Sequence, residues 1–352
     1  MSITELRGEQ QRQLIDTIEV FGAWRDADME RRRRFSGSMR WVERGGNRYL
    51  LRKIGSRERS LGPSSDTTRE AFDRFLAGRE DNSDRLGGLA QRLDQMAPVN
   101  KAMGIGRVPV MAARILRDLD LRELLGHQLL VVGTIALFAY EARAGVRISS
   151  DLLATGDVDL LLDHRQSLSL VGREVRDTGL LGILQRLDHS FVAVRKRGFR
   201  AVNRDGYFVD LVRPEDRDPI RARSADSLSD LPEDLHGSPI HGLGWLVNAP
   251  RFHAVAIGED GYPVPLVCPD PRVFALHKAW ISADEARDPR KRSRDLEQAR
   301  VCADIASSRL GLSFADESAL SVLPSSLRAL ADGVVPEGQI PRAKRPRTTP
   351  GW

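Results

Sequence analysis

The sequence predicts an α/β (α+β) protein with a small mixed-sheet core, an N-terminal region of helices and a β-hairpin, and a C-terminal region of a hairpin and helices. Three observations carry that expectation. Residues 129–132, 157–162 and 207–212 are short apolar runs of the length and composition of buried strands. Helical patterns at 135–144 and around 180–187 fall between them. The resulting order of strand, helix, strand, helix and hairpin suits a layered core with a short mixed sheet.

In chain order, residues 1–30 carry a rough apolar stripe (Leu6, Ile15, Ile18, Phe21) that reads as an amphipathic helix, followed by the basic run Arg31 to Arg34. Residues 39–42 and 49–54, separated by Arg44-Gly45-Gly46-Asn47, have the pattern of a β-hairpin, closed by Ser60-Leu61-Gly62-Pro63. Arg40, Arg48, Arg52, Arg57 and Arg59 then lie near Trp41 and Tyr49, an arrangement suited to gripping nucleic acid. The plainer reading is a solvated hairpin packed on the helices that follow. Residues 66–100 read as helix interrupted at Gly78 and Gly87-Gly88 and ended by Pro98. A helix over 108–125 leads into the core.

Beyond the core, residues 216–239 are polar and proline-rich and read as a surface loop. A second hairpin, 252–257 with 264–267, turns at 258–261. Pro269-Asp270-Pro271 starts a helix through His277, Lys278 and Trp280, and a basic helix covers about 290–310. These divisions place an N-terminal helical and hairpin domain at 1–104, the core at 105–235 and a hairpin and helical region at 236–332. Residues 333–352 read as a disordered basic tail.

Bulk composition excludes several classes. Of 352 residues, 41% are hydrophobic, enough for substantial cores, and no apolar run approaches the roughly 18 residues of a membrane span. With a polar N-terminus the expected location is cytoplasmic, with no membrane contact. The two cysteines, Cys268 and Cys302, cannot build a disulfide framework or a four-cysteine zinc site. The net charge is +5, and Arg342, Lys344, Arg345 and Arg347 in the tail carry four of those charges. The body is therefore nearly neutral, which weighs against a large phosphate-binding surface while allowing local patches.

The chemistry centres on Asp157-Val158-Asp159. Two carboxylates two residues apart on a strand point to one face and together suit a divalent metal. Gly133-Thr134, between a buried strand and a helix, leaves backbone N–H groups free to cradle a phosphate. Alone, that step reads better as a strand-to-helix turn with Thr134 as N-cap; beside the acids the phosphate reading prevails. Asp210 interrupts the apolar run 207–212 and, being buried, needs a partner; a metal shared with Asp157 and Asp159 would supply one. No Walker A sequence, dinucleotide glycine fingerprint or Gly-x-Ser-x-Gly turn competes with this reading. His236 and His241 lack a further ligand nearby and read as loop histidines, and His164 has no assigned role.

These residues resemble the polymerase-beta-like nucleotidyltransferase superfamily, with its Gly-Ser or Gly-Gly step, Asp-x-Asp and third Asp on a later strand. The stretches VVGTIALFAYEARAGV, ATGDVDLLLD, YFVDLVRP and PDPRVFALHKAW look like a bacterial family of largely uncharacterised nucleotidyltransferase-fold proteins, over roughly 105–305. Thr134 replaces the usual Ser or Gly, and Asp157 lies 24 positions after Gly133, implying an insertion around 145–155.

The resemblance implies transfer of a nucleoside monophosphate from a triphosphate such as ATP to an acceptor hydroxyl on an RNA end, a protein or a small molecule. Two Mg²⁺ ions, or Mn²⁺ in their place, would be held by Asp157, Asp159 and Asp210. Gly133 and Thr134 would meet the phosphates, and Lys278 is the lysine expected at the triphosphate. Apart from the resemblance, Arg294, which lies with Lys291 and Asp295 on the next helix, could add a phosphate contact, although a charged helix face is more often simply solvated. For Lys278 a snorkelling surface lysine is the competing reading. The alternative function is a catalytically inactive protein of this fold, binding nucleic acid through 31–59 and the tail or acting as a regulatory module.

Overall fold

The computed structural model describes residues 2–163, 172–216 and 226–336. The chain forms two compact units. One comprises Gly8–Ile105 with Asp260–Pro263; the other takes the residues up to Arg7, Gly106–Glu259 and those from Val264 on. Strand β1 (Ile3–Glu5) belongs to the latter.

The unit built on Gly8–Ile105 consists of two long helices and a sheet. Helix α1 (Gly8–Arg33) ends in three arginines, which complement the negative end of its dipole. Arg31 and Arg32 pair with Asp28 at 2.6 and 2.7 Å, and Arg34 pairs with Glu30 at 2.8 Å, so much of this basic run is neutralised locally. The hairpin of β2 (Ser38–Arg44) and β3 (Asn47–Ile54) gains a third strand, β4 (Arg57–Pro63). The sequence reading ended the hairpin there because β4 is almost wholly exposed and shows no apolar alternation. Trp41 packs edge-on against Phe72, 5.9 Å between centroids, which seats the sheet on α2 (Asp66–Ala102).

Helix α2 runs unbroken for 37 residues, and Pro98 lies inside it rather than at its end. A proline removes one intrahelical hydrogen bond, and tertiary anchoring of the last turn offsets that loss. Asn100, fully buried, accepts from Gln13 Nε2 (2.8 Å) and donates to the Gly261 carbonyl (2.8 Å). Gly78 also sits within the helix, where a Cβ would come within 2.8 Å of the Phe35 ring. Its role is close packing, not interruption.

The other unit carries the mixed sheet. After α3 (Val110–Leu121), the fully buried strand β5 (Leu129–Val132) leads to α4 (Ala136–Ala144), and the insertion follows as β6 (Val146–Ile148) and α5 (Ser150–Leu153). Then come β7 (Asp157–Leu162), α6 (Arg173–Leu187), β8 (Val192–Ala193), β9 (Arg200–Val202), β10 (Phe208–Pro214) and β11 (Ser238–Ile240). The sheet order is β5-β7-β10-β9-β8, with β11 on β10. β7 and β10 are parallel, while β5 and β9 run antiparallel to their neighbours.

The remaining elements are α7 (Leu243–Asn248), the hairpin β12 (Arg251–Ile257) and β13 (Pro263–Pro269), and α8 (Pro271–Ser282) packed against α9 (Pro289–Asp304). A π-helical turn (Ile305–Arg309) and the short helices α10 (Glu317–Leu320), α11 (Ser325–Arg328) and α12 (Ala331–Val334) finish the described chain. Burial fixes α4 at the centre: Tyr140 is fully enclosed, and its hydroxyl donates to the Pro269 carbonyl at 2.8 Å. Among the described residues, no helix is long and apolar enough to cross a membrane. The tail arginines and lysine, His164 and part of the 216–239 loop lie outside the described residues.

Candidate active site

The mixed sheet aligns the acids by register. Asp159 on β7 is the partner of Asp210 on β10 and of Val132 on β5, and Asp210 is in turn the partner of Arg200 on β9. Residues paired across adjacent strands share a face, and Asp157 joins them by the two-residue period. The three carboxylates therefore belong to one face of one sheet, beside the Gly133-Thr134 step that leaves β5.

Gly133 is fixed by its neighbours. Its φ is +64°, and a Cβ there would lie 2.0 Å from Asp159 Oδ2, so only glycine lets the chain turn beneath this carboxylate. Thr134 does not cap α4, whose start has no side-chain cap. Its hydroxyl instead lies 3.4 Å from Gln298 Nε2. Thr155, at the end of the insertion, donates its hydroxyl to Asp157 Oδ1.

The acids repel one another in a poorly solvated place. Burial pushes the Asp159 carboxyl up to about 6, and the charges of Asp157 and Asp210 push the same way; Lys278 and Arg200 oppose the rise. Asp210, 5% exposed, has the partner its burial requires, and that partner is Arg200. Arg200 Nε donates to Oδ1 at 2.6 Å and a terminal nitrogen donates to Oδ2 at 2.5 Å, a two-pronged ion pair.

A cleft faces Asp157 and Asp159 and is lined by Gly133, Thr134, Thr155 and, from α8, α9 and the loop between them, Lys278, Arg287, Lys291, Arg294, Asp295 and Gln298. Lys278 is 7% exposed, so it does not snorkel to the surface. Its ammonium pairs with Asp295 Oδ1 at 2.7 Å, and Arg287 Nε donates to the other oxygen at 2.5 Å. One buried carboxylate thus orients two cations. Arg294 donates to the carbonyls of Leu152 and Ala154, and Gln298 donates to that of Leu152 at 2.7 Å. Helix α9 therefore staples the insertion down beside the acids. Arg294 Nε and Gln298 Oε1 are buried without a partner, polar capacity left over within the cleft wall.

Gly133, Thr134, Asp157, Asp159, Lys278 and Arg294, the residues that the sequence singles out, all line this cleft, whereas Asp210 is on the same sheet face but not in the lining. The sequence does not single out Arg200, Arg287, Lys291, Asp295, Gln298 or the Thr155 contact. His236 and His241 each sit 3.1 Å from a carboxylate of their own, Asp226 and Glu215.

Carboxylate oxygens suit Mg²⁺ or Mn²⁺, and a bound cation would offset both the burial and the like charges that raise Asp159, so Asp157 and Asp159 fit a divalent ion. Asp210 does not fit in the same way, because each of its oxygens already accepts from the Arg200 guanidinium. Among the described residues no three metal-ligating side chains are gathered into one group.

A nucleotidyltransferase family model matches residues 110–322, spanning the sheet, the acids, the cleft and helices α8 and α9. The chain belongs to that nucleotidyltransferase family. Searches of curated proteins and of solved structures found no match.

Proposed function

We propose that the protein is a Mg²⁺-dependent enzyme that transfers a nucleoside monophosphate from a nucleoside triphosphate to an acceptor hydroxyl, within the bacterial group of nucleotidyltransferase-fold proteins that its motifs resemble. Its place of action is the cytoplasm. The observation that carries this reading is the pair Asp157 and Asp159 set against the Gly133-Thr134 turn in a cleft walled by cations.

In this reading Asp157 and Asp159 hold the ion, with Mn²⁺ able to replace Mg²⁺. When bound, the ion would neutralise charge on phosphate oxygens. Gly133 lets the backbone approach the phosphates, and the N–H and hydroxyl of Thr134 donate to them. Lys278 and Arg287, oriented by Asp295, present positive charge to the same groups, and Lys291 adds to that wall. Arg294 serves by holding the insertion, and with it Thr155, against Asp157. An RNA end, a protein hydroxyl or a small molecule would each offer the required acceptor.

The three-stranded sheet supports nucleic acid as a partner. Arg44, Lys53, Arg57 and Arg59 are exposed and form no ion pair among the described residues, whereas Arg40 is paired with Glu58 at 2.8 Å. A second reading, a non-catalytic member of the fold, draws on the commitment of Asp210 to Arg200. Asp159→Asn separates the two. Loss of metal clamping should lower transfer from an α-labelled triphosphate about a thousandfold, since each 1.36 kcal/mol is tenfold in rate. Mg²⁺-dependent nucleotide binding with no transfer to any acceptor class would favour the second reading.

A further inference from the structure

We propose that Arg200 holds the place of one cation in the acid cluster, so that the site takes a single divalent ion, on Asp157 and Asp159, and Asp210 anchors Arg200 instead of ligating metal. The inference rests on the reading of Asp157 and Asp159 as a cation site.

The sheet itself builds this arrangement. Asp159, Asp210 and Arg200 are consecutive members of one row across β7, β10 and β9, so the guanidinium belongs to the same face as the carboxylates. Both prongs are engaged, at 2.6 and 2.5 Å, so a metal ligated at Asp210 would have to share each carboxylate oxygen with the guanidinium. Two aromatic rings confine the guanidinium further: its central carbon is 4.9 Å from the Phe208 ring centroid and 5.5 Å from that of Phe199. Phe208 is the register partner of Asp157, so this ring belongs to the same face as the first acid of the pair.

Charge complements the geometry. Three carboxylates, one guanidinium and one divalent ion together carry no net charge, whereas a second ion at Asp210 would have to compete with the two-pronged Arg200 guanidinium, whose side chain is 39% exposed, for a carboxylate only 5% exposed. Arginine stays charged at any relevant pH, so this counter-charge does not titrate away. Lysine would not serve equally, because a point charge cannot engage both oxygens and lie against Phe208 at once.

The test is a count of bound Mn²⁺ on the full chain, by electron paramagnetic resonance of the free ion, with Mn²⁺ alone and with Mn²⁺ plus α,β-methylene-ATP. The expected result is one ion per chain in both conditions, unchanged by Asp210→Asn. Two ions per chain in the presence of the analogue, falling to one in Asp210→Asn, would overturn the inference while leaving the nucleotidyltransferase reading intact. No bound Mn²⁺ in either condition would sink both. The count on the unsubstituted chain decides the matter even if Asp210→Asn fails to fold.

Discussion

Removal of the Asp295 carboxylate should expose how the cleft wall is held together. Asp295 and Lys278 have side chains only 5% and 9% exposed and meet at 2.7 Å, while Arg287, the second partner of Asp295, is 34% exposed. Asp295→Leu leaves two cations without their counter-charge. Arg287 can turn to water and lose little, as exposed pairs contribute only about 0–1 kcal/mol. Lys278 cannot, and stranding one member of a buried pair costs about 3–5 kcal/mol.

Taking the lower end, roughly 3 kcal/mol, and about 2–4 °C per kcal/mol for a domain of this size, Tm should fall by roughly 6–12 °C. The double variant Lys278→Met/Asp295→Leu replaces the pair with apolar groups of similar bulk and should recover most of that loss. Thermal unfolding of the single and double variants, followed by circular dichroism, provides the measurement. A single variant that melts with the wild type, or a double variant no better than the single, would refute the claim that a buried ion pair organises this wall.

Three further outcomes are expected. Asp159, raised from an ordinary value of 3.8 to about 6, costs stability once ionised: the penalty is absent below about pH 4, builds as pH rises and is complete above about 6. Two pH units correspond to roughly 3 kcal/mol, so metal-free Asp159→Asn should be more stable than wild type at pH 7 and equal to it near pH 3.5, as read by urea denaturation. Gly133→Ala combines a φ of +64° with a Cβ 2.0 Å from Asp159 Oδ2, so Mg²⁺-dependent nucleotide binding should be lost and stability should fall by about 1–3 kcal/mol. Neutralising Arg44, Lys53, Arg57 and Arg59 together should flatten the log-log salt dependence of duplex DNA binding by roughly 3–4 units, and an unchanged slope would remove the sheet from consideration as a nucleic-acid surface.

Much of the core was legible because its signals are local. The apolar runs of β5, β7 and β10 and the acids set within them appear directly in the sequence, and the alternation of strands places Asp157 and Asp159 on one face without any coordinates. The departures have local causes too. Pro98 reads as a helix end, but Asn100 and Gln13 hold the turn that contains it; β4 hides its strand character because nearly all of it is exposed.

What escaped was partnership. Asp210 announces that it needs a counter-charge, and Arg200 is ten residues earlier across the turn Arg204-Asp205-Gly206. Counting back through an antiparallel hairpin centred on Asp205 pairs Arg200 with Asp210, so that signal was present and went unused. Arg287 and Gln298 gave no such signal. They reach the cleft only because α8 and α9 pack side by side, which periodicity within either helix does not reveal.

The most direct measurement is a crystal structure of the chain with Mg²⁺ and α,β-methylene-ATP. The account predicts phosphates against the backbone N–H groups at Gly133 and Thr134, an ion on Asp157 and Asp159, and Lys278 and Arg287 turned toward the phosphate oxygens. A nucleotide bound elsewhere, with Asp157 and Asp159 facing neither ion nor phosphate, would contradict it.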